Sequence, residues 1–121
     1  MIYIGVDIIE IDRISKAIEE WGDKFLTRVF TPTELANYRK NHESLAARFA
    51  AKEAIYKSLG KRDTGISWQE IEVLSESSGV PTVNLRGKAL EVARSLEVKE
   101  IKVSLAHSGT CAVAFAVGEA G

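Results

Sequence analysis

Hydrophobic positions change rhythm several times along the 121-residue chain, and each change marks an element. Residues 2–9, IYIGVDII, are rich in β-branched side chains and apolar on both alternating faces, which predicts a strand covered on both sides. Ile11, Ile14, Ile18 and Trp21 then recur at helical spacing, while Arg13, Lys16 and Glu20 project elsewhere. Gly22 ends that helix, and DKFLTRVF predicts a further short turn of helix. TPTELANYR carries a start signal, with Thr31 at the N-cap, Pro32 at the first helical position and Glu34 completing a capping box. A long helix is expected from about Ser44 to Leu59, closed by Gly60. After the polar loop KRDTG (61–65), WQEIEVLS alternates as a strand with one wet face. SESSGVP then turns the chain, and PTVNL returns as the second arm of a hairpin, with Pro81 at a strand start where proline is tolerated. Ala89, Val92, Ala93 and Leu96 mark one more helix. EIKVSLAH and TCAVAFAV are the last strands, joined tightly at Ser108-Gly109. The order β-α-α-α-β-β-α-β-β is no regular βαβ alternation. It predicts an α+β fold, one domain over residues 1–121, with a largely antiparallel sheet packed on the long helix.

That long helix holds the most informative stretch, RFAAKEAIYKSLG (48–60). At about 100° per residue, Leu45, Phe49, Tyr56 and Leu59 form a bulky stripe with Lys52 near its middle. The opposite side is alanine (Ala47, Ala50, Ala51, Ala54), bordered by Glu53 and Lys57. A helix with two packable faces leaves its charges little solvated surface. Lys52 can snorkel along the bulky stripe. Glu53 and Lys57 are an i, i+4 pair in the favourable order, which suits either a solvated pair or a site.

Composition narrows the class. A hydrophobic content of 45% and a charged content of 27% describe a globular chain. The net charge of −1 gives no global field, so nucleic acid is not an expected partner and any phosphate recognition is local. Cys111, the single cysteine, cannot form an internal disulfide; CAVAFAV makes it a small packing residue and a reducing compartment the expectation. The N-terminus has no signal-peptide pattern and no apolar run approaches the roughly 18 residues of a membrane helix, so the cytoplasm is expected and a membrane is not. The almost wholly apolar last strand argues for an oligomer whose interface covers part of the sheet.

Six residues carry candidate chemistry: Asp7, Arg48, Lys52, Glu53, Lys57 and His107. Asp7 interrupts an apolar strand on the face of Tyr3, Gly5 and Ile9. A buried carboxylate needs a metal, a cation or several donors, and an ordinary ion pair or helix cap would also serve. His107 ends a strand at the rim of the Ile101, Val103 and Leu105 face, as an edge histidine or a base. His42, in KNHES, reads as a surface residue. Asp7 and Glu53 together are hard oxygen donors suited to Mg²⁺, with Lys57, Arg48 and Lys52 as cations for phosphate oxygens and His107 as a base or an orienter of a metal-bound water. No Walker loop or dinucleotide fingerprint is present. The residues by themselves point to Mg²⁺-dependent phosphate-ester chemistry.

The motifs IGVDIIEIDR (4–13), KFLTRVFTPTE (24–34), RFAAKEAIYKSLG (48–60), GVP (79–81) and VSLAHS (103–108) give this chain a specific resemblance. It resembles the holo-(acyl carrier protein) synthases, small 4′-phosphopantetheinyl transferases, over nearly its whole length. The resemblance implies transfer of 4′-phosphopantetheine from coenzyme A to a serine of acyl carrier protein, in support of fatty-acid synthesis. It implies Mg²⁺ held by Asp7 and Glu53, with Glu53, Lys57 and His107 at the reaction. Arg48, Lys57, Pro81, His107 and Ser108 would meet coenzyme A, and Arg13 the acidic carrier. It further implies a homotrimer with active sites between subunits. Three positions depart from the family pattern: Tyr3 replaces a glycine, KSLGKRDTG lengthens a loop in which Lys61 or Arg62 could add a cation, and Val80 stands where lysine is common. A non-catalytic binding module, with Asp7 and Glu53 as structural ion-pair partners, and a different Mg²⁺-dependent phosphotransferase are the competing readings.

Overall fold

A computed structural model describes residues 1–60 and 65–121; the expected loop at 61–65 lies, but for Gly65, outside the described residues. The elements are β1 (Ile2–Glu10), α1 (Ile11–Trp21), α2 (Asp23–Val29), α3 (Pro32–Tyr38), α4 (His42–Ser58), a 3₁₀ turn (Trp68–Glu70), β2 (Ile71–Ser75), β3 (Pro81–Leu85), α5 (Gly87–Ser95), β4 (Val98–His107) and β5 (Cys111–Ala120). The expected α+β architecture is present, with every strand pair antiparallel. The strands form two sheets rather than one: a three-stranded sheet of order β1-β5-β4 and the separate hairpin β2-β3. The capping box at Thr31 and Glu34 is present in full. Helix α4 starts two residues before the sequence expectation, because Asn41 caps it by accepting from the Ser44 amide.

The alanine side of α4 lies on the larger sheet. Ala47, Ala50, Ala51 and Ala54 are buried, facing the buried alanines of β5, Ala112, Ala114 and Ala116. Small side chains on both sides let helix and strands approach closely. The approach is tightest at Gly5 of β1, where an added Cβ would sit 1.9 Å from the Ala54 carbonyl oxygen and 2.8 Å from the Ser58 amide nitrogen. Only glycine fits there.

None of the described residues covers the other face of this sheet, where the sequence pattern predicts a strand covered on both sides. Ile2, Ile4, Val6 and Ile8 are 59%, 57%, 51% and 65% exposed. The register sets Ile4 against Val117, Val6 against Phe115 and Ile8 against Val113, so the band is continuous across two strands.

Beyond α4, a buried polar network ties the hairpin to the helices. The Lys52 side chain is 0% exposed, and Glu34, likewise 0%, meets its ammonium at 2.9 Å. The ammonium also donates to the Trp68 carbonyl at 3.1 Å and to the Ile71 carbonyl, so its three donors are all used. Burial lowers the Lys52 pKa, against the opposing pull of the Glu34 charge. Glu34 accepts the Thr31 amide at 2.9 Å and the Val73 amide at 2.7 Å. The Thr31 hydroxyl donates to Glu72, which also accepts from Arg86 at 2.9 Å and from Asn84. Lys52 therefore does not snorkel, and WQEIEVLS is a 3₁₀ turn followed by a strand whose Glu72 is buried.

Two outcomes are expected. Gly5→Ala lowers unfolding stability in urea by about 3 kcal/mol, since the clash is with backbone that cannot rotate away; an unchanged midpoint contradicts the tight approach. Burial tends to raise the Glu72 pKa, but donors from Thr31, Asn84 and Arg86 outweigh it and hold the pKa below the usual 4.5. Glu72 thus contributes stability above pH 4.5 that is lost as the pH falls through its depressed folded value. Glu72→Gln should cost about 2 kcal/mol at neutral pH and flatten the acid loss; an equally steep acid transition in the variant would contradict this.

Candidate active site

Asp7 reaches the α4 side of the sheet because alternation along β1 puts Tyr3, Gly5, Asp7 and Ile9 on that face. The close contact at Gly5 draws β1 onto the C-terminal half of α4. As a result Lys57 meets Asp7 at 2.9 Å and donates to the Val6 carbonyl at 3.1 Å. The Asp7 side chain is 17% exposed and that of Lys57 35%. The hydrogen bond to Asp7 holds the Lys57 pKa above 10.5, so the ammonium is fully charged at neutral pH.

Asp7 and Glu53 line one open cleft of about 360 Å³, together with Arg13, Ile14, Phe25 and Phe49. Glu53 also borders a second cavity of about 210 Å³, walled by Lys52 and Tyr56 on one side and by Ile66, Ser67, Trp68 and Ile71 on the other. The aromatic stack of Phe49 on Trp68, 5.0 Å between centroids, closes the joint between the two. Glu53 therefore stands between a charged cleft and a more apolar one. Asp7 and Glu53 offer two hard carboxylates to the cleft, the number that Mg²⁺ takes when water and phosphate complete its shell. Among the described residues no cluster of three or more His, Cys, Asp or Glu could form an all-protein metal cage.

The other expected residues lie elsewhere. Arg48 is buried, its guanidinium 3.8 Å from the Tyr38 ring centroid and hydrogen-bonded to Ser75 at 2.5 Å, while its Nε has no hydrogen-bond partner among the described residues. Ser75 pairs with Pro81 across the hairpin, so Arg48 and Pro81 share a neighbourhood. His107 is half exposed at the end of β4, its Nδ1 3.4 Å from Glu43 in the first turn of α4. Ser108 caps the following turn by accepting the Thr110 and Cys111 amides. Glu43 and Glu53 are ten residues apart on one helix, which is about 15 Å at 1.5 Å per residue. One chain thus brings Asp7, Glu53, Lys57 and Arg13 together and keeps His107 at the far end of α4.

Sequence reading missed several contacts. Glu43 beside His107 gave no signal, being one charge in a polar stretch. His42 is half-buried and bonds Ser15 at 2.9 Å, so it joins α4 to α1 rather than simply facing solvent. Cys111 is half-buried and free.

Comparison with known proteins gives the family. The family model for the 4′-phosphopantetheinyl transferase superfamily matches residues 3–116. The chain belongs to that superfamily, among the holo-[acyl-carrier-protein] synthases. A curated holo-[acyl-carrier-protein] synthase of Dehalococcoides mccartyi is 49% identical over 119 residues, covering 98% of this chain and 99% of its own. The solved holo-[acyl-carrier-protein] synthase of Neisseria meningitidis superposes with a TM-score of 0.88 at 32% identity, covering 98% of this chain and 99% of its own. That of Helicobacter pylori, solved in complex with coenzyme A, gives 0.86 at 28% identity, covering 96% and 99%. As a member of this family the chain is a phosphopantetheinyl transferase. No helix among the described residues is long and apolar enough to cross a membrane.

Proposed function

We propose that this chain transfers 4′-phosphopantetheine from coenzyme A to a serine of apo acyl carrier protein, with Mg²⁺, and so supports fatty-acid synthesis in the cytoplasm. The single domain of residues 1–121 carries the activity. The observation that bears most weight is the shared cleft of Asp7 and Glu53 with Lys57 hydrogen-bonded at its edge. In the transfer, the serine oxygen bonds to the phosphorus that bears the pantetheine arm. The bond from that phosphorus to 3′,5′-adenosine diphosphate breaks, and the serine proton passes to a base. Asp7 and Glu53 would hold Mg²⁺, which when bound supplies charge to the pyrophosphate oxygens. Lys57, a fixed cation beside them, stabilises charge that builds on the transferring group. Glu53 and His107 are the candidate proton acceptors. Arg48, Lys57, Pro81, His107 and Ser108 contact coenzyme A, and Arg13, at the cleft, meets an acidic carrier.

The same reading makes the protein a homotrimer with active sites between subunits. Two observations support it. The band around Val6 and Phe115 is apolar and open, as an interface surface is. His107 is remote from Glu53 within one chain, so a neighbouring copy has to supply it.

Incubation with apo carrier, coenzyme A and Mg²⁺ should add the phosphopantetheine mass to the carrier; an unmodified carrier would reject the activity. Asp7→Asn and Glu53→Gln should each lower turnover at least about 100-fold while retaining the melting temperature. Turnover equal to the parent's in either variant removes that residue from the metal site. Mixing Asp7→Asn with His107→Ala and allowing subunits to exchange should restore part of the activity, because hybrid trimers hold some complete sites. No recovery from two exchanging, inactive variants contradicts shared sites.

A further inference from the structure

The transfer chemistry leaves Lys52 unused, although it is a charge carried to the centre of the fold. Its surroundings give it a second task besides cohesion. The carbonyls of Trp68 and Ile71 bracket the 3₁₀ turn, and the ammonium holds both. That turn, with Ile66 and Ser67, is one wall of the cavity whose opposite wall is Lys52, Glu53 and Tyr56. The clamp acts one residue before Glu53, which opens on both this cavity and the cleft of Asp7. The Phe49–Trp68 stack, 5.0 Å between centroids, is a second tie between α4 and the turn.

We propose that Lys52 is a positioning residue for coenzyme A binding: its ammonium clamps residues 66–71 onto α4 and fixes the cavity wall facing Glu53. The proposal rests on the transfer reading above. Lys52 touches no reacting atom, so its loss should weaken substrate binding more than it slows the chemical step.

Lys52→Met alone would leave Glu34 charged and buried without its partner, at a cost of about 3–5 kcal/mol, and would confuse folding with binding. Glu34→Gln/Lys52→Met removes both charges and keeps similar volumes. Glutamine at position 34 can also keep the capping box with Thr31. Replacement of a buried ion pair by well-packed neutral groups is often neutral for stability.

The double variant should still melt cooperatively, below the parent, because glutamine at position 34 turns an amide donor towards either the Thr31 or the Val73 amide and the Trp68 and Ile71 carbonyls lose theirs. Its KM for coenzyme A should rise about tenfold, with kcat within threefold, and its dissociation constant for coenzyme A by calorimetry should rise in parallel. Glu34→Gln/Lys52→Gln returns an amide donor to the carbonyls and should recover part of the loss. A KM and dissociation constant within twofold of the parent would overturn the proposal. So would failure of both double variants to show a cooperative melt, since Lys52 would then act in folding alone. If the parent itself moves no arm from coenzyme A to apo carrier, the transfer reading falls first; a working parent with unchanged variants removes only the role of Lys52.

Discussion

A lysine ammonium shut away from water must find a full set of acceptors inside the protein, and meeting that demand at Lys52 shapes this molecule. Glu34 supplies the opposite charge from α3, and Trp68 and Ile71 supply carbonyls from the segment that enters the hairpin. Neither partner is left over: Glu34 spends its remaining capacity on the Thr31 and Val73 amides. The pair contributes little net stability beside an apolar equivalent, yet breaking one side leaves an uncompensated charge. Such an arrangement specifies one relation of α3, α4 and the hairpin more than it adds cohesion. Glu72 extends it to Arg86, so that two anions and two cations balance.

A second constraint acts on the opposite side of the same helix. Alanines on α4 and β5 bring helix and sheet close, and Gly5 removes the last obstacle to β1. Two residues further on, Asp7 then falls beside Lys57. The separation of the two carboxylates in sequence hides this relation; the close backbone contact creates it. Helix α4 thus carries two charges with different surroundings on consecutive residues, Lys52 turned to the hairpin network and Glu53 to the clefts.

Much of this was legible beforehand because it follows from local rules. The capping box at Thr31, the α4 stripe of alanines, the turn at Ser108 and the face shared by Gly5 and Asp7 depend only on spacing and residue type. What escaped depends on tertiary partners. Lys52 reads as a snorkelling side chain until Glu34 comes from another helix to meet it. Glu72 lies between Ile71 and Val73, and alternation alone assigns it to a wet face; only a second covered face on β2 explains its burial. The open side of β1 escaped for the opposite reason: an apolar pattern states that a face avoids water, and does not state which chain covers it. The residue positions of the candidate site were legible through family resemblance, whereas the distance between His107 and Glu53 was not.

That distance is the centre of the account. On the proposed reading, a chain that gathers Asp7, Glu53 and Lys57 at one end of α4, and holds His107 and Glu43 at the other, would contribute to two sites rather than complete one. The exposed band of isoleucine, valine and phenylalanine is the surface on which copies would meet under that proposal. A crystal structure with coenzyme A and Mg²⁺ tests this most directly. The account predicts the pyrophosphate beside Asp7, Glu53 and Lys57 of one subunit, with His107 of a neighbouring subunit reaching the same ligand. Coenzyme A bound wholly within one chain, or away from the Asp7–Glu53 cleft, would contradict it.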